Sequence, residues 1–147
     1  MTPVREAGFQ LDLPGQWLQV ATTQAGLWQY AAENGLEQLS VTMHVAAPPL
    51  AEEELPATLT QLQFVSQAEE QRVSADTRLE PPIQQRQGEA WVGYYTGHNA
   101  AAARRFASFT IVATGILASF YYETLDMPDT EFNLKCQTIL GNINVET

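Results

Sequence analysis

The final third of the chain, residues 88–145, places the strongest constraint on the fold. Three segments have the length and composition of β-strands: Ala90–Thr96, Phe106–Ala113 and Ile116–Glu123. A helical segment follows at once, and its apolar residues form a single stripe: Phe132, Cys136, Ile139, Leu140 and Ile143. Together they predict an antiparallel sheet with one amphipathic helix laid across it.

The preceding residues add strands and a second helix. Alternation or short apolar runs predict strands at residues 9–13, 17–21, 27–31 and 38–45, with Asn34-Gly35 as a tight hairpin turn. Between residues 52 and 74 the period becomes helical, and the predicted buried stripe is Leu55, Leu59, Leu62, Val65 and Ala68. A further strand at Ile83–Gln87 leads into the final sheet. We therefore expect one α+β domain over residues 1–147, with a central antiparallel β-sheet and both helices packed on it.

Charge narrows the range of partners. The formal net charge is −10, and Arg5 is the only Arg or Lys within residues 1–71. Such a field repels phosphate backbones and anionic lipid surfaces, so binding of nucleic acid is not expected. The start of the chain has no apolar stretch of signal-peptide length, and no run is long enough to span a bilayer. We expect a cytoplasmic protein without membrane insertion, whose surface allows a basic protein partner.

Residue types that carry chemistry are sparse and isolated. The two histidines, His44 and His98, belong to no metal-binding pattern, and His98 is expected in the turn that begins at Thr96. Cys136 lies within the apolar stripe of the last helix, which predicts a buried structural thiol. No serine has a nucleophile-elbow motif, and no glycine-rich loop has the ending that binds phosphate. The sequence predicts no cofactor, no metal and no enzymatic activity.

One cluster stands out as a candidate binding site. Arg104 and Arg105 are adjacent in a chain with few cations, and Tyr94, Tyr95 and Tyr121 belong to neighbouring strands. Tyr and Arg are enriched at binding hot spots, and arginine makes bidentate contacts with carboxylates. Adjacent tyrosines point to opposite faces of a strand, so one ring of each pair lies outside the core or under a helix. We expect these five residues to contact a protein partner or a second copy of the chain; the simpler alternative is an exposed hairpin edge that pairs with the acidic surface.

The chain resembles the PsbP-like superfamily, which includes the DcrB-like proteins. The resemblance lies in the start, Phe9-Gln-Leu-Asp-Leu-Pro-Gly-Gln-Trp17, and in a strand through Ser119-Phe120 that leads to a helix and a closing Ile139-Leu140 segment. It implies an α/β/α sandwich with a central antiparallel sheet. Members of the superfamily are mostly non-enzymatic: photosystem accessory proteins, a small-GTPase release factor and chaperones of type VI secretion effectors. No plastid-targeting segment is visible, which counts against the photosystem accessory proteins.

These observations predict a non-catalytic protein-binding module. The roles that the resemblance implies are adaptor, chaperone or immunity partner of a secreted type VI effector in bacteria. The alternative is a small-molecule or lipid-binding domain with a pocket between the sheet and a helix, and a hydrolase ranks third. The two leading alternatives differ in surface, since a protein partner needs an exposed apolar patch and a ligand needs an enclosed pocket.

Overall fold

The computed structural model describes residues 1–146; Thr147, the last residue of the predicted domain, lies outside the described residues. Within residues 1–146, two α-helices, α1 (Leu55–Val73) and α2 (Asp129–Leu140), accompany eleven strands. The strands are β1 (Thr2–Arg5), β2 (Phe9–Leu13), β3 (Trp17–Val20), β4 (Leu27–Ala32), β5 (Glu37–Val45), β6 (Arg78–Leu79), β7 (Ile83–Gln87), β8 (Ala90–Asn99), β9 (Arg104–Val112), β10 (Ile116–Leu125) and β11 (Asn144–Val145).

The strands form two antiparallel sheets. The larger one has eight strands in the order β3-β4-β5-β10-β9-β8-β6, and β7 also pairs with β8. Its centre is β10, which pairs with β5 from Ile116 opposite Val45 and with β9 from Leu117 opposite Val112. The smaller sheet has the order β1-β2-β11, so it joins the two ends of the chain. The predicted α+β class with a central antiparallel sheet is confirmed.

The two helices lie on opposite faces of the large sheet. Helix α1 packs over β8 and β9 through Leu55 and Leu59, which meet Val112. Helix α2 and the small sheet cover the other face, where the main core contains aromatic residues such as Phe120 and Phe132. We call these the α1 face and the α2 face. None of the described helices is long and apolar enough to cross a membrane.

The buried stripe of α1 differs from the prediction. The helix buries Leu55, Leu59 and Gln63, whereas Val65 is 57 % exposed and Ala68 is exposed. The reason lies in the strand beneath. A Cβ at Gly93 would contact Leu59 and Gln63, so only glycine at this position allows the helix to approach so closely. The expectation that Val65 and Ala68 are buried was wrong, because the buried side of α1 is the side that approaches the sheet closely at Gly93.

The C-terminal helix agrees with the prediction except at its end. Phe132, Cys136, Ile139 and Leu140 are buried on α2, and the buried thiol is confirmed. The helix ends at Leu140, with Gly141 as its C-cap, so Ile143 lies beyond the helix and is half-buried. The predicted stripe was therefore one residue too long.

The ends of some strands also differ from the prediction. Strand β8 runs on through His98 to Asn99 and pairs His98 with Arg105, so the expected turn beginning at Thr96 is wrong. The short strands β1, β6 and β11 were not predicted.

Candidate binding surfaces

The structure separates the five residues of the predicted site. Tyr95, Arg104 and Tyr121 lie on the α1 face, whereas Tyr94 and Arg105 lie on the α2 face. This follows from the strict alternation of side chains along a strand, which sends adjacent residues to opposite sides. The five residues therefore do not form one surface.

On the α1 face, Arg104 belongs to an internal ionic network. Its guanidinium lies 3.3 Å from the Glu70 carboxylate of α1 and 2.7 Å from Glu123, and it hydrogen-bonds Tyr121. The Tyr121 hydroxyl in turn donates to Glu70 at 2.5 Å. The guanidinium also stacks on the Phe106 ring, 4.4 Å from its centroid. Burial raises the pKa of Tyr121, and the bond to Glu70 raises it further. This network holds the C-terminal half of α1 against the sheet.

Tyr95 is also covered by α1. It is 2 % exposed, its hydroxyl lies 2.5 Å from Ser66 of the helix, and its ring meets Phe106 edge-on. Of the two positions expected for one ring of each tyrosine pair, outside the core or under a helix, Tyr95 has the second, because α1 lies over β8 and β9. Whether the residues contact a partner stays a prediction.

On the α2 face, Arg105 and Tyr94 contact the segment around α2. Arg105 donates to the Met127 carbonyl and to the Asp129 carboxylate, both at 3.1 Å. Tyr94 is half-buried and lies beside the Cys136 thiol. Burial raises the pKa of that thiol to about 11, so it stays protonated near neutrality. Among the described residues, no cationic side chain lowers the pKa of this thiol, as activation would require.

One buried carboxylate, that of Glu37, was not predicted from the sequence. Glu37, 2 % exposed, accepts hydrogen bonds from Tyr122 at 2.6 Å and Asn34 at 2.9 Å, and Lys135 lies 3.3 Å away. Lys135 is the only lysine of the chain, and it is 98 residues from Glu37 in sequence. The only feature of the nearby sequence that could have indicated a partner for this carboxylate was Asn34. Within residues 1–146 no group of three His, Cys, Asp or Glu side chains is arranged to hold a metal ion.

The outer edge of β3 is an open edge of the large sheet. The Glu33 amide donates to the Gln16 carbonyl at 2.9 Å, so these two opposite residues form a hydrogen-bonded pair. Hydrogen-bonded pairs alternate along two antiparallel strands, so the backbone of Leu18 also bonds to β4. The backbone N–H and C=O of Gln19 therefore point outward, away from β4. Thr2 Oγ1 accepts from the outward Trp17 amide at 3.1 Å. The backbone N–H and C=O of Gln19 have no strand partner among residues 1–146.

The side chains beside this edge are apolar and exposed. Leu18 is 72 % exposed and Val20 is 43 % exposed, on the α1 face beyond the reach of α1. No residue from 13 to 32 is charged, although the chain as a whole carries −10. A concavity of about 560 Å³ adjoins the end of the strand, lined by Val20, Leu27, Trp28 and other uncharged residues.

The opposite end of the sheet is protected. Strand β6 has only two residues and runs into Pro81-Pro82, and β7 carries Arg86. Short strands, prolines and charges are the usual means by which proteins prevent edge strands from pairing with other chains. Strand β3 is short but has neither charge nor proline, so the two edges are unequal.

A separate cleft lies between α2 and the sheet. Its volume is about 650 Å³, and it is bounded by Tyr94, Phe109 and Ile111 on the sheet and by Cys136 and Leu140 on the helix. The predicted pocket between sheet and helix therefore has a counterpart.

Comparison with solved structures identifies the fold. No family model and no curated protein matches the chain. The solution structure of cyanobacterial PsbP (CyanoP) from Synechocystis sp. PCC 6803 aligns with a TM-score of 0.73 at 16 % identity, over 98 % of this chain and 91 % of that one. A crystal structure from Bacteroides thetaiotaomicron VPI-5482 has a TM-score of 0.44 at 6 % identity, over 96 % of this chain and 46 % of that one.

The chain therefore has a PsbP-like fold, as the sequence resemblance implied. At this level of identity the likeness concerns fold alone. The narrower resemblance to DcrB-like proteins stays a prediction.

Proposed function

We propose that the protein is a non-catalytic binding module that accepts an extended segment of another protein as an added strand beside β3. The observation that carries the proposal is the open outer edge of β3, where the Gln19 backbone groups face outward next to exposed Leu18 and Val20. In strand addition, main-chain hydrogen bonds supply affinity, and side chains that enter neighbouring depressions supply specificity. The concavity of about 560 Å³ at the end of β3 is such a depression.

The charges define the chemistry of the partner. Residues 13–32 are uncharged, so a strand that pairs with β3 meets no charged side chain from these residues. The rest of the chain is strongly acidic, which repels acidic segments at long range and favours neutral or basic ones. We therefore expect a segment with alternating apolar residues, no acidic residues and basic flanks.

This mode of binding suits an adaptor, a chaperone or an immunity partner, each of which holds an exposed segment of another protein. A secreted type VI effector as that protein, and a cytoplasmic location for the complex, are the finer predictions from the sequence resemblance. A second copy of the chain is the competing occupant of the same edge, because β3 of one copy is itself an uncharged strand with an open edge.

The test is selection from a displayed library of random peptides, followed by measurement of their affinity by fluorescence anisotropy. The decisive variant is Gln19→Pro. It removes an outward N–H and places a ring on the open edge, yet breaks no hydrogen bond to β4. A second variant, Leu18→Glu, has a matched control in Ile83→Glu, because Ile83 is equally an exposed apolar residue on an edge strand, β7.

The proposal predicts peptides with alternating apolar residues whose binding is lost with Gln19→Pro and Leu18→Glu and retained with Ile83→Glu. It is refuted if no peptide is selected, or if the selected peptides bind both β3 variants normally. Sedimentation of the protein alone identifies the competing occupant: a dimer that Gln19→Pro converts to a monomer would mean that β3 pairs with a second copy.

A further inference from the structure

The cleft between α2 and the sheet exists because α2 leaves part of the α2 face uncovered. The helix makes its main contacts with β2, β9 and β10, so it leaves part of the adjacent surface of β8 and β7 open. The resulting space of about 650 Å³ is within the range of small-molecule sites. A second space of about 400 Å³ shares the lining residues Gln87, Ile111 and Ile143 with it, and Glu89 lines only that second space.

The walls of the larger space are uncharged. Within the described part of the chain, no Asp, Glu, Lys, Arg or His lines it. The apolar surface comes from residues such as Phe109 and Leu140, and the polar groups are the Tyr94 hydroxyl, the Cys136 thiol and carboxamides such as that of Gln137. Burial holds the pKa of the Cys136 thiol at about 11 and also raises the pKa of Tyr94, so both groups are neutral near pH 7.

Neutral walls exclude charged ligands. A carboxylate or phosphate placed here meets no cation, and an ammonium group meets no carboxylate, so either loses hydration without compensation. The net charge of −10 adds a long-range penalty for anions. A hydroxyl, carbonyl or amide, in contrast, finds donors and acceptors in the carboxamide groups and the phenol.

We infer that this cleft is a binding site for an uncharged small molecule, one with an aromatic or aliphatic body and a single neutral polar group. The body packs against Phe109, Ile111 and Leu140, and the polar group reaches Tyr94 or Gln137. The site is independent of the β3 edge, because the two surfaces share no residue.

The test uses two fluorescent probes with the same ring system, the neutral anilinonaphthalene and its sulfonated anionic analogue. We expect saturable binding of one neutral probe per chain, with the anionic probe at least about tenfold weaker. Gln137→Trp fills the mouth of the cleft from an exposed position and should abolish binding of the neutral probe. Thr138→Trp is the matched control, because Thr138 is the next residue of α2 and does not line the cleft.

The inference is overturned if the neutral probe does not saturate, if both probes bind equally well, or if Gln137→Trp binds like Thr138→Trp. Because Leu18→Glu leaves the cleft intact, binding of the neutral probe to that variant separates this site from the β3 edge.

Discussion

Alkaline pH should unfold this protein cooperatively, because the folded protein keeps its tyrosines protonated and only unfolding allows them to ionise at their ordinary pKa. All five tyrosines of the chain have a raised pKa, and burial is the largest cause in each. Tyr30 and Tyr122 are the clearest cases, since they are 5 % and 0 % exposed. Their hydroxyls donate to the carboxylates of Glu6 at 3.1 Å and Glu37 at 2.6 Å, which a phenolate would repel.

The direction of the effect follows from proton linkage. The folded protein holds each tyrosine proton more tightly than the unfolded chain does, so the free energy of unfolding falls as pH rises above the ordinary tyrosine pKa. For each tyrosine that stays protonated when folded, the loss is about 1.4 kcal/mol at pH 11 and about 2.7 kcal/mol at pH 12. For Tyr30 and Tyr122 together, the free energy of unfolding therefore falls by about 3 kcal/mol at pH 11 and by about 5 kcal/mol at pH 12. The second value approaches the total stability of a typical domain.

The assay follows circular dichroism and tyrosinate absorbance along one pH series. We expect the two signals to change together, in one transition above about pH 10. Tyr122→Phe removes one of the linked protons and should flatten the fall in stability with pH, as measured by urea unfolding at several pH values. Ionisation of most tyrosines near their ordinary pKa, in a chain that keeps its secondary structure, would refute the reasoning.

Three further predictions concern stability. Phe132→Ala should cost about 3–5 kcal/mol in urea unfolding, because this buried ring stacks on Tyr122; a near-neutral result would mean that α2 does not pack as described. Arg104→Met should cost about 1.5–3 kcal/mol, since it removes the cation that pairs with the part-buried carboxylates of Glu70 and Glu123. Arg105→Met should cost less than about 1 kcal/mol because Asp129 is 71 % exposed; equal costs would contradict this. The melting temperature should not change with a strong chelator, and a fall of more than a few degrees would reveal a metal site.

The fold could be predicted because its signals are local. Alternation in residues 38–45 and the apolar stripe of the last helix each follow from which side of one element is buried. The structure agrees with both except at their ends, where Val45 is 81 % exposed and Ile143 lies beyond α2. The errors arise where burial depends on distant residues. Gln63 is buried because Gly93, thirty residues later, lets α1 approach β8, and no periodicity within α1 records this.

The candidate site was harder to predict for the same reason. Composition drew attention to Tyr95 and Arg104, but whether a helix covers them depends on where α1 lies on the sheet. Likewise, nothing local to Trp17–Val20 states that β3 is an outer strand, since strand order is set by pairing across the whole chain. The available signal was the absence of charge from residue 13 to residue 32, which becomes informative only once the edge is known.

Hydrogen exchange of the backbone amides of β3, followed by nuclear magnetic resonance, tests the proposed strand addition most directly. In the free protein the Gln19 amide should exchange quickly, while the Leu18 amide, bonded to β4, should be protected. When a selected peptide binds, the Gln19 amide should become protected and the amides of β7 should not change. A Gln19 amide that is already protected in the free protein, or that stays fast when peptide is bound, would contradict the proposal that β3 accepts an added strand.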